Sequence, residues 1–146
     1  MLQVREPDAS GISTAVLDAG LNIIEAARHE RHQIFPVRQR PGTERRRYRL
    51  MGPTCTLGDL VSPGVELDTL EVGDTLAVMD VGAYCVPYST CFSFPRPAVV
   101  AVRNGIAGVL RRHESFEDLV ALDQLSEDAP AQREKTREAA AAKAAP

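Results

Sequence analysis

A β-hairpin is strongly encoded in the last third of the chain. Two apolar, β-branched runs, Ala98–Val102 and Ile106–Arg112, flank the dipeptide Asn104-Gly105. Asn-Gly is typical of two-residue hairpin turns because both central residues need a positive φ. Further β-capable runs bounded by Gly, Pro and Asp precede this hairpin, so the sequence predicts a mainly β domain.

Three earlier segments are predicted as strands from their β-branched and apolar content. The first, Ile12–Gly20, is expected to continue through Leu21–Ile24 as a hairpin-like or bulged pair. The second and third, Gln33–Val37 and Arg45–Leu50, are expected to form a hairpin whose turn is marked by Pro41-Gly42.

Alternation along Arg45–Leu50 divides the side chains of this run between two faces. Arg47 and Arg49 share one face, and Tyr48 and Leu50 share the other. The sequence therefore predicts a solvated arginine face over an apolar one, in preference to a surface that binds phosphate or an acidic partner.

The composition of the chain argues against several classes of protein. The 146 residues are 44% hydrophobic and carry a net charge of -3, which is enough apolar content for one core and no general reason to bind nucleic acid. No run approaches the roughly 18 apolar residues of a membrane span, and Met1–Glu6 lacks the apolar centre of a secretion signal. We expect a soluble, cytoplasmic protein with free thiols, because three cysteines cannot form a complete disulfide framework.

The C-terminal region is predicted to contain one short helix. Ser115–Asp118 has the Ser-x-x-Asp pattern of a helix start, and apolar residues follow it. The β domain is therefore expected to span residues 1–126. The Ala-, Glu- and Lys-rich segment 127–146 is expected to be a disordered tail, because it has almost nothing apolar to bury.

His29 and His32 stand three residues apart, a spacing that metal ligands also use. No third His, Cys or carboxylate stands at a spacing that strengthens this reading. We expect solvated loop histidines and no metal site.

Two unusual loops flank one predicted strand. They are Gly52–Asp59, which contains Cys55, and Asp80–Tyr84, and the turn and strand of Leu70–Met79 lie between them. From the residues alone, Cys55 is interpreted as a small packed residue and Tyr84 as a half-buried tyrosine. Asp59 and Asp80, the acidic residues of the two loops, are expected to brace their loops.

Four motifs occur in a characteristic order: Asp18-Ala19-Gly20-Leu21-Asn22, Gly52-Pro53-Thr54-Cys55, Asp80–Tyr84 and Phe94-Pro95-Arg96-Pro97. Together they resemble the C-terminal β domain of the fold type III pyridoxal-phosphate decarboxylases, the family of ornithine, diaminopimelate and arginine decarboxylases. The resemblance runs from about Val4 to Leu125. It implies a Greek-key-like β-barrel or sandwich with a short C-terminal helix.

The resemblance also implies roles for two residues. Cys55 matches the cysteine that these enzymes insert into the active site of the opposite subunit, where it donates a proton after CO2 leaves. Tyr84 matches the tyrosine that hydrogen-bonds the phosphate of pyridoxal 5'-phosphate (PLP).

Departures from the family pattern bear on the substrate. Thr56 stands where the family commonly has Asp or Glu, so substrates that end in an amine are disfavoured. The Arg-Pro of diaminopimelate decarboxylases is missing, although Arg28 lies two residues away. Cys91 and Phe92 occupy the places of an interface aromatic and an asparagine, unless the register slips by one residue.

The only lysines are Lys135 and Lys143, and both lie in the tail. In the family a barrel lysine holds the cofactor, so this chain is expected to be inactive alone and to share PLP with a separately encoded αβ-barrel chain in a hetero-oligomer. An excised domain of a longer protein would look the same. The alternative is a non-catalytic module that binds and regulates a full-length decarboxylase.

Overall fold

The computed structural model describes residues 1–123, which are mainly β. Within this range the strands are β1 (Gln3–Arg5), β2 (Ile12–Val16), β3 (Ile34–Pro36), β4 (Arg45–Met51), β5 (Leu60–Asp68), β6 (Leu76–Val78), β7 (Val99–Arg103) and β8 (Ile106–Arg111). The helical elements are a 3-10 helix at Glu25–Arg28, α1 (Cys85–Tyr88) and α2 (Phe116–Leu119). The chain divides into one compact unit from Met1 to Glu114 and a second that begins at Ser115.

The main sheet has four strands in the order β1-β2-β4-β5. β2 and β4 run parallel, with Ile12 opposite Arg47 and Val16 opposite Met51, whereas the β1–β2 and β4–β5 pairs are antiparallel. A parallel pair needs a crossover connection. Residues 17–44 form this crossover, and the turn that supports the candidate site lies within it.

β4 supplies the centre of the core. Tyr48 and Leu50 are buried on one face, while Arg47 is exposed on the other, so the predicted alternation is confirmed. The Tyr48 hydroxyl accepts a hydrogen bond from the Leu70 N–H at 2.9 Å, which satisfies its polar end inside the core. The buried cluster consists of Ala15, Leu17, Ile34, Tyr48, Leu50, Val61, Leu67 and Leu70.

β5 is the longest described strand, and the sequence pattern did not reveal it because Ser62-Pro63-Gly64 interrupts the run. Proline is tolerated because β5 forms an edge of the four-stranded sheet. Its pairing with β4 shifts register on both sides of Leu50, as a β-bulge does. Val61 and Leu67 still reach the core from this irregular strand.

β3 and β6 form a separate antiparallel ribbon in which Ile34 faces Val78. The strands predicted at both places are confirmed, but the predicted hairpin of β3 with β4 is wrong because each pairs with a different strand. The loop after β3 is tied instead to the turn before β6. There the Arg40 guanidinium donates to Asp74 at 2.5 and 3.0 Å and to Glu71 at 2.9 Å.

The segment after β2 is a tight turn. The N–H groups of Ile23 and Ile24 both donate to the Gly20 carbonyl at 2.9 Å, and the 3-10 helix follows. The predicted continuation of the strand through Leu21–Ile24 is therefore wrong. Local hydrogen bonds satisfy this backbone without a partner strand, and the turn itself buries most of the apolar side chains that suggested one.

The hairpin predicted around Asn104-Gly105 is confirmed as β7 and β8, and both turn residues have positive φ. The mainly β class is confirmed as well. The described strands lie in three sheets of four, two and two strands, which are not closed into a barrel. The barrel form of the expected fold does not hold for residues 1–123 because the edge strands β1 and β5 are not paired with each other.

The described part of the second unit contains α2. The N–H and hydroxyl of Ser115 both donate to Asp118 Oδ2, at 2.7 and 3.2 Å, which confirms the predicted helix start. Phe116 and Leu122 are largely exposed. The predicted domain end at residue 126 and the predicted tail 127–146 lie outside the described residues.

An ion pair between Arg96 and Glu114 ties the Phe94–Pro97 motif to the residues that follow β8. Arg96 donates its backbone N–H to Glu114 Oε2 at 2.9 Å and its Nε–H to Oε1 at 2.7 Å, and its Nη2 contacts the same Oε1. These hydrogen bonds lower the pKa of Glu114 from 4.5 to about 2. Arg96, the arginine of the Phe94–Pro97 motif, is therefore held in place by Glu114.

This pKa shift predicts a pH dependence of stability. A carboxyl group whose pKa is lower in the folded than in the unfolded chain stabilises the fold when it is ionised. This contribution is complete at pH values above the unfolded pKa, near 4.5, and is lost as the pH falls toward 2. Glu114→Gln should be less stable than wild type at pH 6, and the difference should shrink between pH 4.5 and 2. Urea unfolding midpoints measure it, with the exposed Glu66→Gln as control; a pH-independent difference would contradict the role of Glu114.

Candidate functional site

The Gly52–Asp59 loop is built around a buried carboxylate. Asp59 is only 2% exposed although it lies in a loop. Its Oδ1 accepts the Leu21 N–H at 2.7 Å, and its Oδ2 accepts the N–H and hydroxyl of Thr54 at 2.9 and 2.5 Å. One carboxylate therefore joins the loop to the turn after β2, which confirms the predicted bracing role of this aspartate.

Two glycines allow this contact between the loop and the turn. A Cβ at Gly20 would overlap Asp59 Oδ1 and lie 2.7 Å from the Gly52 Cα, and a Cβ at Gly52 would overlap the same carboxylate. The Gly52 N–H also donates to the Asp59 carbonyl at 2.9 Å. Glycine is therefore needed at both positions, because the missing side chains leave space for the Asp59 carboxylate and for the close approach of the two backbones.

Asn22 connects the same turn to the second loop region. Its side chain is buried, and Oδ1 accepts the Gly20 N–H at 3.1 Å. Its carbonyl accepts the Thr90 N–H, just beyond α1, at 2.8 Å. The turn after β2 is therefore bonded to the Gly52–Asp59 loop on one side and to the segment after α1 on the other.

Cys55 lies at the exposed tip of the first loop. The next residue, Thr56, is half-buried, and its N–H donates to Thr54 Oγ1 at 3.3 Å. The base of the loop is fixed by Asp59, while the thiol is accessible. This arrangement can present a thiol to a site supplied from outside this unit.

Tyr84 is 66% exposed and immediately precedes α1, with a φ of 63°. This left-handed conformation is uncommon for a bulky residue and costs on the order of 1–3 kcal/mol. Its ring stacks on Tyr88, with centroids 5.8 Å apart and planes inclined by 18°. A Cβ at Gly82 would meet nothing within 4 Å, so there is open space at the position two residues before Tyr84.

The structure does not bring Tyr84 to the cavity beside the Cys55 loop. That cavity, of about 620 Å³, is lined by Leu57 and Gly58 of the loop and by Arg28 of the 3-10 helix. Arg28 is paired with Glu25 at 2.7 Å, so its charge is largely balanced. Residues next to Tyr84 line a separate apolar cavity of about 260 Å³ beside α1.

The two loop histidines have different surroundings. His29 is exposed, whereas His32 is half-buried and its Nδ1 lies 3.1 Å from the Met79 carbonyl. Among residues 1–123 no group of three or more His, Cys, Asp or Glu is arranged to hold a metal ion. The helices of this part are too short to cross a membrane.

Comparison with known proteins identifies this arrangement. Residues 2–82 match the family described as the pyridoxal-dependent decarboxylase C-terminal sheet domain. The chain belongs to this family. It is 37% identical to the diaminopimelate decarboxylase of Methanothermobacter thermautotrophicus over 109 residues. The matched region covers 73% of this chain and 26% of that protein.

Solved structures agree with this family assignment. The crystal structure of diaminopimelate decarboxylase from M. jannaschii matches this sheet domain with a TM-score of 0.78 and 27% identity, over 88% of this chain and 29% of that one. The Helicobacter pylori diaminopimelate decarboxylase, complexed with L-lysine, matches with a TM-score of 0.70 and 27% identity, over 83% and 30%. The chain thus spans less than a third of the length of these relatives.

Sequence reasoning missed two features of this sheet domain. It did not find the stacking partner Tyr88, for which a spacing of four residues after Tyr84 was the available signal. It also did not reveal the left-handed backbone of Ser93, whose φ is 69°.

Removing the Asp59 carboxylate should destabilise the domain. Asp59→Ala would leave the Leu21 and Thr54 N–H groups without their acceptor, at about 1–3 kcal/mol for the buried Leu21 N–H and less for the half-buried Thr54. Asp18→Ala, which removes an exposed carboxylate near the same turn, should change the free energy of unfolding by less than about 0.5 kcal/mol. Urea unfolding at pH 7 measures both variants, and equal effects would show that Asp59 does not join the loops.

Proposed function

We propose that this chain is the β domain of a PLP-dependent amino-acid decarboxylase and completes the active site of a separately encoded αβ-barrel chain. The observation that carries the proposal is a Gly-Pro-Thr-Cys loop, fixed at its base by Asp59, within a decarboxylase sheet domain. The chain spans only 26% of the Methanothermobacter relative, and its only lysines are Lys135 and Lys143. We therefore assign the cofactor-binding lysine to the partner.

In this proposal Cys55 is the proton donor. Its Sγ–H is presented at an exposed loop tip and would transfer its proton to the substrate carbon after CO2 leaves. A thiol suits this task because its reference pKa, about 8.5, lies within reach of working pH. The Asp59 contacts support the role because proton transfer requires a donor held in position.

Tyr84 would hold one edge of the cofactor. PLP, when bound, supplies the electron withdrawal that makes decarboxylation fast. The exposed ring of Tyr84 and the open space at Gly82 fit a hydroxyl that donates to the cofactor phosphate. The remaining phosphate contacts are assigned to the barrel partner.

The substrate class follows from Thr56 and Arg28. The named relatives are diaminopimelate decarboxylases, but this chain has a neutral threonine after Cys55, and the charge of Arg28 is balanced by Glu25. A site lined by these residues favours an amino acid whose far end is neutral. A substrate with a distal ammonium would lose water from that charge on binding, and these residues offer no carboxylate to pair with it.

Reconstitution tests the proposal. The chain alone should neither give cofactor absorption at the violet edge of the visible range nor decarboxylate amino acids. Mixing with an αβ-barrel chain from the same genome that carries a cofactor lysine should produce both. Turnover by this chain alone would reject the split arrangement, and a complex no more active than the barrel alone would favour the non-catalytic regulatory module.

Cys55→Ala should lower decarboxylation by the assembled complex by about 10²–10⁴-fold, the usual contribution of a general acid. Cofactor binding should be largely unchanged because the loop base is held by Asp59. Cys91→Ala removes another exposed cysteine and serves as the control. Steady-state rates of decarboxylation measure the effect, and a Cys55→Ala complex as active as wild type would show that Cys55 is only a structural residue.

Tyr84→Phe should weaken PLP affinity more than it slows turnover at saturating cofactor. Loss of one hydrogen bond to a charged phosphate costs roughly 1.5–3 kcal/mol, or about one to two decades in Kd. Tyr88→Phe keeps the stacked ring and should bind PLP as wild type does. Superimposable cofactor titrations of wild type and Tyr84→Phe would contradict the phosphate contact.

Thr56→Asp should raise kcat/KM for ornithine relative to a neutral analogue, because a desolvated ammonium would gain a counter-charge. The gain should be about tenfold or more if the new carboxylate is close. Thr56→Asn adds similar volume without charge and is the matched control. A wild-type complex that already prefers ornithine would show that the partner supplies the carboxylate and that Thr56 only fills space.

A further inference from the structure

One face of the β7–β8 hairpin is entirely apolar and open. The register places Val100 opposite Val109 and Val102 opposite Ala107, so these four side chains share one face, which we call the hairpin face. Val102 and Val109 are 70% and 67% exposed. Because valine is normally buried in strands, a face of this composition indicates a surface that another polypeptide covers.

The hairpin has no other strand to support it. Neither β7 nor β8 pairs with a further strand in the described part of the chain. The opposite side of the ribbon also exposes apolar residues, among them Ile106 and Leu110. An isolated two-stranded ribbon is marginally stable in water, so this hairpin needs external packing.

The hairpin face continues into the apolar cavity beside α1. Val100 belongs to both, and Val86 of α1, exposed like Val100, lines the same cavity. Arg111 lies at the cavity as well, and its Nε is buried with no hydrogen-bond partner among residues 1–123. Its Nη2 donates to the Pro97 carbonyl at 3.4 Å, so this end of the cavity is held by a contact within the chain, while the rest of the cavity lining beside Val100 is mostly apolar.

We propose that the hairpin face is the docking surface for the αβ-barrel chain, an inference that rests on the proposed function. More than two thirds of each relative lies outside the part that this chain matches, which spans 29% of the M. jannaschii enzyme and 30% of the Helicobacter pylori enzyme. The partner surface that fits this face is apolar at its centre. This docking sets the barrel beside α1, which Tyr84 immediately precedes.

The test replaces valines by threonine, which keeps the β-branched shape and strand preference while adding a hydroxyl. The docking variant is Val102→Thr/Val109→Thr. The control is Val37→Thr/Val72→Thr, whose valines are similarly exposed, at 65% and 66%, and lie outside the hairpin. Far-UV circular dichroism and thermal unfolding check that both variants fold as the wild-type chain does.

Titration calorimetry with the lysine-bearing barrel chain measures docking. Kd should rise about tenfold or more for Val102→Thr/Val109→Thr and stay unchanged for Val37→Thr/Val72→Thr. Equal binding of the two variants would overturn the inference and leave the proposed function intact, whereas failure of the wild-type chain to bind would reject both. Light scattering separates a third outcome: a homodimer that only the hairpin variant dissociates, with barrel binding unchanged, would assign the face to a second copy and overturn the inference.

Discussion

The carboxylate of Asp59 holds the candidate site together. A buried carboxylate is unfavourable unless its oxygens are hydrogen-bonded, and here two backbone N–H groups and one hydroxyl occupy them. The same contacts fix the turn after β2 and the base of the Cys55 loop. Loops are normally the most variable parts of a β domain, so this aspartate gives a loop the rigidity that strands usually supply.

Asn22 extends this arrangement to the second loop region. Because its carbonyl binds the Thr90 N–H while its side chain binds within its own turn, one tight turn positions both regions that carry proposed functional residues. The core lies elsewhere, around Tyr48 and Leu50. The packing of the sheet and the placement of the site therefore depend on different contacts, although losing the Asp59 contacts also lowers the free energy of unfolding.

Local patterns predicted local structure well. Asn104-Gly105 identified its hairpin, and alternation in Arg45–Leu50 identified the buried face, because each depends on nearby backbone geometry. Long-range pairing was not readable: β3 joins β6, and β2 lies parallel to β4. Ser62-Pro63-Gly64 concealed β5 because an edge strand tolerates residues that local propensity excludes.

The candidate site was readable only through its motifs. Cys55 and Tyr84 carry no pattern that separates them from ordinary residues, and the contacts that position their loops join residues far apart in sequence, such as Leu21 and Asp59. Hydrophobic periodicity does not report such polar contacts. The motifs pointed to these two loops, while the reason for two of their glycines became visible only in three dimensions.

The close approach of Gly20 and Gly52 has an evolutionary consequence. The loop is anchored through backbone atoms and Asp59, so no side chain from 55 to 58 is needed to hold it in place. Substitutions at the tip can accumulate at little cost to folding, whereas the anchor is intolerant of change. A domain built in this way can exchange the residues at its loop tip, Thr56 among them, while the backbone that carries them keeps its place.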